Sequence, residues 1–331
     1  MRRSITSIRL QVAFAGEHGV AAERCLDGSG LTPADLLAGD REVDAEQELI
    51  VIGNLCRRLG AGASLGLAMG QRYSLSSYGA WGFALLSSPT FRQAIDLGLR
   101  YLDLTFAFCR FSLQETAEQV SLNIDDSLLP PSVHDYLLAR DVSAVMVIQQ
   151  ELFATRIPLA YLSLNLPALG DNEYEHIFGV TPTLQSPQNQ ATFAANLLDM
   201  SLPQANPVTA RLCEQQCRQL LASRQRRAGV AGQVREILLA TPGQFAAMDA
   251  MASELGITGR TLRRRLQAEG TGYRELLDEV RLLLAEQWLQ DGLLNQEEIS
   301  ERLGYSEVSN FIHAFKRWTG QTPARYRRRY S

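Results

Sequence analysis

Apolar positions along the first two hundred residues recur with two different periods. Residues 44–59 place Leu49, Ile52, Leu55, Cys56 and Leu59 on one helical face, which predicts an amphipathic helix. Pro89-Thr90-Phe91 opens a second helix, where Phe91, Ala94, Ile95 and Leu99 repeat at the same spacing. Phe106-Ala107-Phe108 and residues 120–124 flank the polar stretch 114–119 and predict a β-hairpin. A long apolar helix follows over residues 133–152, and residues 159–166 alternate as a strand. Pro203 and Pro207 bracket an extended linker before a helix beginning near Thr209. The polar, arginine-rich stretch 223–229 predicts a hinge, and beyond it the pattern is helical throughout.

Residues 248–267 have the spacing of a helix-turn-helix. Met251, Ala252 and Leu255 form the inner face of a first helix, and Gly256 sits where the turn needs positive φ. Ile257 plugs the junction, and Leu262 with Leu266 anchors a second helix. With Leu262 inward, Arg260, Arg263, Arg264 and Gln267 point away from the core, with Thr261 at the helix start. Three outward arginines suit phosphates and guanine edges better than they suit helix stability. A second copy repeats the order with Ile299, Leu303, Gly304 and Tyr305, anchored by Phe311 and Phe315. Its outward set is Ser306, Ser309, His313 and Lys316, with Asn310 on the flank and Arg317 beside them. Residues 273–289 between the copies read as one uninterrupted helix of about 26 Å. That length lets the two outward helices enter successive major grooves, one DNA turn of ~34 Å apart.

The stretch GYSEVSNFIHAFKRWTGQTPARYR, residues 304–327, closely resembles the signature of AraC-type transcriptional regulators, and the resemblance extends over residues 230–329. LLSSPTF (85–91), IFGVTPT (177–183) and LLDMSLPQANP (197–207) resemble the AraC subgroup with an arabinose-binding-like N-terminal domain. The resemblance implies a promoter-binding regulator controlled by a small molecule, acting as a homodimer and meeting RNA polymerase. It does not imply that arabinose is the ligand. Two positions depart from the family pattern. His313 replaces a common arginine and Ser300 stands where alanine is usual, so the second reading helix is expected to bind more weakly or to respond to pH.

Charge sharpens the division. Residues 224–331 hold 17 Arg+Lys against 13 Asp+Glu, a balance of +4; residues 1–223 hold 15 against 23, a balance of −8. The two account for the net charge of −4, and they point to a polyanion partner for the C-terminal part alone. The five scattered cysteines make no disulfide framework, which fits a reducing cytoplasm. No apolar run reaches the roughly 18–20 residues of a membrane span, and Arg2-Arg3 precede no apolar signal region.

Three further signals compete with this reading. Gly62-Ala63-Ser64-Leu65-Gly66 matches the G-x-S-x-G nucleophile elbow, yet a helix rather than a strand leads into it, so a glycine-rich loop is the better reading. Cys213 and Cys217 lie one turn apart without a third ligand nearby, so no metal is expected. The aromatic stretch containing Tyr73, Tyr78, Trp81 and Phe106 serves either as core or as pocket wall.

The sequence therefore predicts an α+β N-terminal effector domain followed by an all-α domain with two helix-turn-helix motifs joined by a long helix. Residues 1–223 are expected to bind an effector and dimerise, and residues 224–331 to bind double-stranded promoter DNA. No catalytic residue, cofactor, metal or membrane contact is expected. Candidate effector contacts are Arg72, Tyr78, Trp81 and Phe106, with Arg100 and Arg110 nearby, which suggests an apolar or amphipathic ligand such as a carboxylate. The alternatives are a hydrolase with a DNA-binding tail and an architectural binder whose N-terminal domain only dimerises.

Overall fold

The structure is a computed structural model that describes residues 2–38, 41–60, 62–170, 172–227 and 229–328. It divides into two compact units, Met1–Ala222 and Ser223–Ser331. The first begins with a strand that neither hydrophobic period announces. Arg2–Ser4 (β1) precedes helices Thr6–Glu17 (α1) and Ala22–Leu26 (α2) and pairs antiparallel with Glu42–Asp44 (β2). Helices Ala45–Leu59 (α3), Ala63–Gly70 (α4), Ala80–Leu86 (α5) and Phe91–Arg100 (α6) follow. Thr90 starts α6 as expected, its hydroxyl accepting from the Gln93 amide at 3.3 Å.

A hairpin of Arg110–Glu115 (β3) and Gln119–Asp125 (β4) leads to the long helix His134–Phe153 (α7). Tyr161–Leu164 (β5), Glu173–Phe178 (α8), Thr183–Leu184 (β6) and Asn189–Ala194 (β7) complete a five-stranded sheet of order β3-β4-β7-β5-β6. Only the short β5–β6 pair is parallel. The final helix, Pro207–Arg227 (α9), buries Cys217 in the apolar core of this unit.

The hairpin is displaced from its expected place. Phe106–Phe108 is not a strand, because buried polar groups capture its backbone instead. The Phe106 carbonyl accepts from Arg3 Nη1 at 3.1 Å and Arg140 Nη2 at 2.8 Å. The Phe108 and Cys109 amides donate to Asp141 Oδ2 at 2.7 and 2.9 Å. Helix α9 likewise exceeds its expected bounds at both ends. Proline is well tolerated at a first helical position, and the Asn206 side chain accepts from the Val208 and Thr209 amides at 3.1 Å. At the other end, the arginines and glutamine expected to form a hinge are good helix formers and continue the helix to Arg227.

Two small residues decide how α4 meets α7. A Cβ on Gly66 would stand 2.3 Å from the Tyr136 carbonyl oxygen, and one on Gly70 2.4 Å from that of Arg140. The backbones touch there, and the Ser143 hydroxyl donates to the Leu67 carbonyl at 2.9 Å. At the start of α7, the His134 ring lies 2.9 Å from Asp135 through Nδ1 and 2.9 Å from Asp126 through Nε2.

The second unit is helical in every described element: Gly229–Ala240 (α10), Met248–Glu254 (α11), Gly259–Ala268 (α12), Tyr273–Asp291 (α13), Gln296–Arg302 (α14), Val308–Thr319 (α15) and Pro323–Arg327 (α16). The Glu269 carboxylate just beyond α12 caps the start of α10, accepting from the Val230 and Ala231 amides at 2.9 Å. Around α13 gather Leu262, Leu266, Ile299, Leu303, Phe311 and Phe315, all essentially inaccessible to water. Ser300 is buried with them, and its hydroxyl has no hydrogen-bond partner among the described residues.

Three stability outcomes follow from this packing. Gly66→Ala and Gly70→Ala should each destabilise the chain by about 1–3 kcal/mol in thermal unfolding, since the backbones must part. Gly16→Ala, where an added Cβ meets nothing, should cost nothing. Ser300→Ala should stabilise by about 1 kcal/mol by removing an unpaired hydroxyl. For His134, burial works against the charge, but the hydrogen bonds and charges of Asp135 and Asp126 outweigh it and raise the pKa above 6.5. A raised folded pKa contributes stability below the unfolded value and loses it as pH rises through the folded one. The urea midpoint of wild type should therefore exceed that of His134→Gln at about pH 6 and converge towards it at about pH 8. A constant difference would refute the charged pairing.

Candidate functional site

The C-terminal unit builds two similar outward faces. In both, the helix before the turn ends in a glycine with positive φ, +67° at Gly256 and +73° at Gly304. The hydrogen bonds match too: Ile257 N to Ala252 O at 2.9 Å and Gly256 N to Ser253 O at 3.0 Å, against Tyr305 N to Ser300 O at 3.0 Å and Gly304 N to Glu301 O at 2.9 Å. Thr258 then caps α12, its hydroxyl accepting from the Thr261 amide at 3.2 Å. Glu307 precedes α15 without a side-chain cap and accepts instead from the Ser309 hydroxyl at 3.2 Å.

This architecture fixes which side chains face out. On α12, Leu262 and Leu266 are buried, while Arg260, Arg263, Arg264 and Gln267 are exposed and Thr261 is half-buried. On α15, Phe311, Ala314 and Phe315 are buried; Ser309, Asn310, His313, Lys316 and Arg317 are exposed, as is Ser306 in the preceding turn. Arg317 is partly committed, reaching Asp278 Oδ2 at 3.1 Å. Helix α13 between them has 19 residues, or about 28 Å at ~1.5 Å per residue. Arg281 from α13 lies 4.6 Å from the Tyr305 ring centre and donates to the Leu303 carbonyl at 3.0 Å, bracing the second turn. Of the arginines near the C-terminus, Arg325 and Arg328 are exposed, Arg327 donates to the Leu294 carbonyl, and Arg329 lies outside the described residues.

The N-terminal unit holds a cavity of about 170 Å³ between the sheet and helices α5, α6 and α7. Phe111, Leu113, Leu122 and Phe193 line it from the sheet, Trp81, Ala94 and Leu99 from α5 and α6, and Val145, Ile148 and Leu152 from α7. Tyr78 and Phe106 close one end, their rings stacked with centres 5.1 Å apart, and Trp81 lies 5.0 Å from Tyr78. Burial pushes the Tyr78 hydroxyl pKa well up, so it stays protonated.

Beneath that end sits a buried ionic cluster. Arg140, 1% exposed, donates to Asp141 Oδ1 at 2.7 and 3.0 Å and to Glu48 Oε1 at 3.3 Å. Glu48 also accepts from Arg3 at 3.2 Å, Ser7 at 2.5 Å and Gln11 at 3.1 Å. Burial opposes the Arg140 charge, but Asp141, with Glu48, more than compensates and holds it ionised.

Of the four expected effector contacts, Tyr78, Trp81 and Phe106 come together at this cavity and Arg72 does not. Arg72 is half-exposed and pairs with Glu17 at 2.6 and 3.0 Å, over the Phe14 ring. Arg100 and Arg110 also turn away, to Glu214 at 3.0 Å and Asp103 at 2.6 Å. Arg140 is the arginine lining the cavity, and no local pattern marks it, because it sits in the stretch 136–144 of α7, where every residue is buried.

The other signals resolve plainly. Ser64 lies in α4 rather than at a strand-to-helix turn, and its hydroxyl donates to Glu173 at 2.7 Å. Gly66 of that motif is required by the contact with α7. Cys217 is fully buried, which pushes its thiol up to about 11, and Cys213 packs beside it. Among the described residues no cluster has the ligands for a metal, and no helix is long and apolar enough to cross a membrane.

Comparison with known proteins places these features. Residues 19–202 match the family described as the arabinose-binding domain of AraC transcription regulator, N-terminal, and residues 251–329 match a helix-turn-helix domain. An uncharacterized HTH-type transcriptional regulator of Mycobacterium tuberculosis is 34% identical, covering 99% of this chain and 97% of the relative. The ornithine utilization regulator of Pseudomonas aeruginosa is 32% identical over 95% of this chain and 93% of its own. The crystal structure of the transcriptional regulator CdpR from Pseudomonas aeruginosa covers 98% of both chains at 26% identity, with a TM-score of 0.48. The homologues are transcriptional regulators, not enzymes. Two helix-turn-helix units behind an α/β domain that the family match spans make the conclusion direct: this chain belongs to the AraC-type transcriptional regulators, in the group with an arabinose-binding-like N-terminal domain.

Proposed function

We propose that this regulator reads a specific promoter sequence through α12 and α15 and is controlled by a small molecule held in the N-terminal cavity. The observation that carries the reading is the outward face of α12, where Arg260, Arg263, Arg264 and Gln267 are exposed behind the buried Leu262 and Leu266. Arg260 and Arg264 lie one turn apart on this face, Arg260 at the N-terminal end that normally meets base edges and Arg264 at mid-helix. An arginine there grips guanine O6 and N7 together, a contact worth about 1–3 kcal/mol of discrimination. Ser306 before α15, and Ser309, Asn310, His313, Lys316 and Arg317 on it, offer shorter polar groups and less charge. The second helix accordingly contributes less affinity than the first.

Effector control requires the ligand to bind one arrangement of the protein better than another. We assign the sensing role to residues 1–223, together with dimerisation, and DNA binding to residues 224–331. A dimer presents four reading helices, and linkage of two modules raises their effective concentration on a repeated site. The protein acts in the cytoplasm, where it meets promoter DNA and RNA polymerase.

Base reading and anchoring separate experimentally. Against a duplex selected from a random pool by the protein itself, Arg264→Ala should lose about 1–3 kcal/mol more than against a scrambled duplex. The combined change Arg325→Ala and Arg328→Ala should weaken both duplexes alike and reduce the log–log salt slope by about 0.9 for each phosphate no longer neutralised. Equal losses on both duplexes from Arg264→Ala would overturn its base-reading role.

A further inference from the structure

We infer that the N-terminal cavity takes an electrically neutral ligand the size of a single substituted aromatic or alicyclic ring, gripped by one hydrogen bond to Tyr78. The inference rests on the sensing role proposed above and narrows the class of ligand.

The walls set the polarity. Apart from their backbone, the lining residues that carry a side-chain polar group are Tyr73, Tyr78, Trp81, Thr105, Arg140, Asp141 and Gln149. Nearly all are already engaged. Tyr73 bonds Ser7 at 2.7 Å, and Trp81 donates to the Gly98 carbonyl at 3.3 Å. Thr105 donates to Leu102 O at 2.7 Å and accepts from the Ala107 amide at 3.3 Å. Gln149 uses both ends of its amide, on Thr155 O at 2.8 Å and Ile157 N at 2.9 Å. Asp141 accepts from two backbone amides and from Arg140, and Arg140 donates through Nε and both terminal nitrogens. The Tyr78 hydroxyl alone has no hydrogen-bond partner among the described residues.

The charges settle the sign. Arg3 and Arg140 face Glu48 and Asp141, two positive against two negative, so the cluster offers no net charge to a ligand. A carboxylate or ammonium entering the cavity would shed its water without gaining a free counter-charge, which disfavours it strongly. The carboxylate suggested by Arg72, Arg100 and Arg110 loses its support, since each of them is paired outside the cavity. Volume sets the size: about 170 Å³ is close to the ~150 Å³ of an apolar protein cavity that takes benzene.

The test uses the full chain and five probes in calorimetric titration: toluene, phenol, indole, benzoate and benzylammonium. The neutral three should bind, and the charged two at least about tenfold more weakly. Tyr78→Phe should leave toluene unchanged and weaken phenol by about two- to tenfold, the worth of one hydrogen bond. Ala191→Leu and Ala144→Leu, which fill the space from opposite walls, should each abolish toluene binding; two positions guard against one failing to fold. Binding of benzoate or benzylammonium as tight as toluene, failure of all three neutral probes, or toluene binding untouched by both filling variants would overturn the inference. Effector control is read separately. If a neutral probe binds as described and leaves DNA titrations unmoved, the ligand class stands and that control falls.

Discussion

The N-terminal unit is organised around the buried pairing of Arg140 with Glu48 and Asp141. Neither a guanidinium nor a carboxylate tolerates burial alone, and removing one partner from such a set typically costs about 3–5 kcal/mol. Every group that satisfies the set is therefore held in place. Arg3 brings in β1, Ser7 and Gln11 bring in α1, Glu48 brings in α3, and the Phe106, Phe108 and Cys109 backbone is pinned to α7. The strand β1 and the loop 106–109 are thereby held by polar contacts as well as by the burial of Phe106 and Cys109.

Pinning that loop shapes the cavity. Phe106 cannot pair in the sheet while its carbonyl is held by two arginines, so its ring is left to stack on Tyr78 at the cavity end. The contact of α4 with α7 acts on the same helix from the other side, because Gly66 and Gly70 bring backbone against backbone. Helix α7 is thus fixed at its charged first half, while Val145, Ile148 and Leu152 in its second half line the void. An internally neutral floor beneath apolar walls is the basis of the proposed selection by desolvation rather than attraction.

The C-terminal unit uses one plan twice with different side chains. Both turns close on a glycine with the same hydrogen bonds, and both following helices bury one side chain on each successive turn, Leu262 and Leu266 or Phe311 and Phe315, in the core around α13. What differs is the outward face. Helix α12 carries long, always-charged arginines, whereas α15 carries a serine, an asparagine and a histidine beside Lys316 and Arg317. Arginine projects a planar fork, while the shorter groups must approach the bases more closely to make any contact. The duplicated scaffold makes the two faces alike in position, and the side chains make them unequal in charge.

The sequence by itself determined the helical C-terminal unit, because its apolar spacing, its turn glycines and its caps are all local. Leu262 and Leu266 being inward follows from a 3.6-residue period, and so does the exposure of Arg260 and Arg264. The hairpin, α6 and α7 were legible for the same reason, although the first strand was misplaced by a tertiary constraint. Tyr78, Trp81 and Phe106 stood out as an aromatic cluster, yet nothing local told pocket wall from core. Only the tertiary structure decided which arginine lies at the cavity. Arg72, Arg100 and Arg110 are near those aromatics in sequence but find carboxylates elsewhere, whereas Arg140 arrives from a distant helix and meets Glu48, which lies 92 residues away. Spacing along a chain records local geometry. The neutralisation of one buried charge by another is a long-range contact that no period encodes.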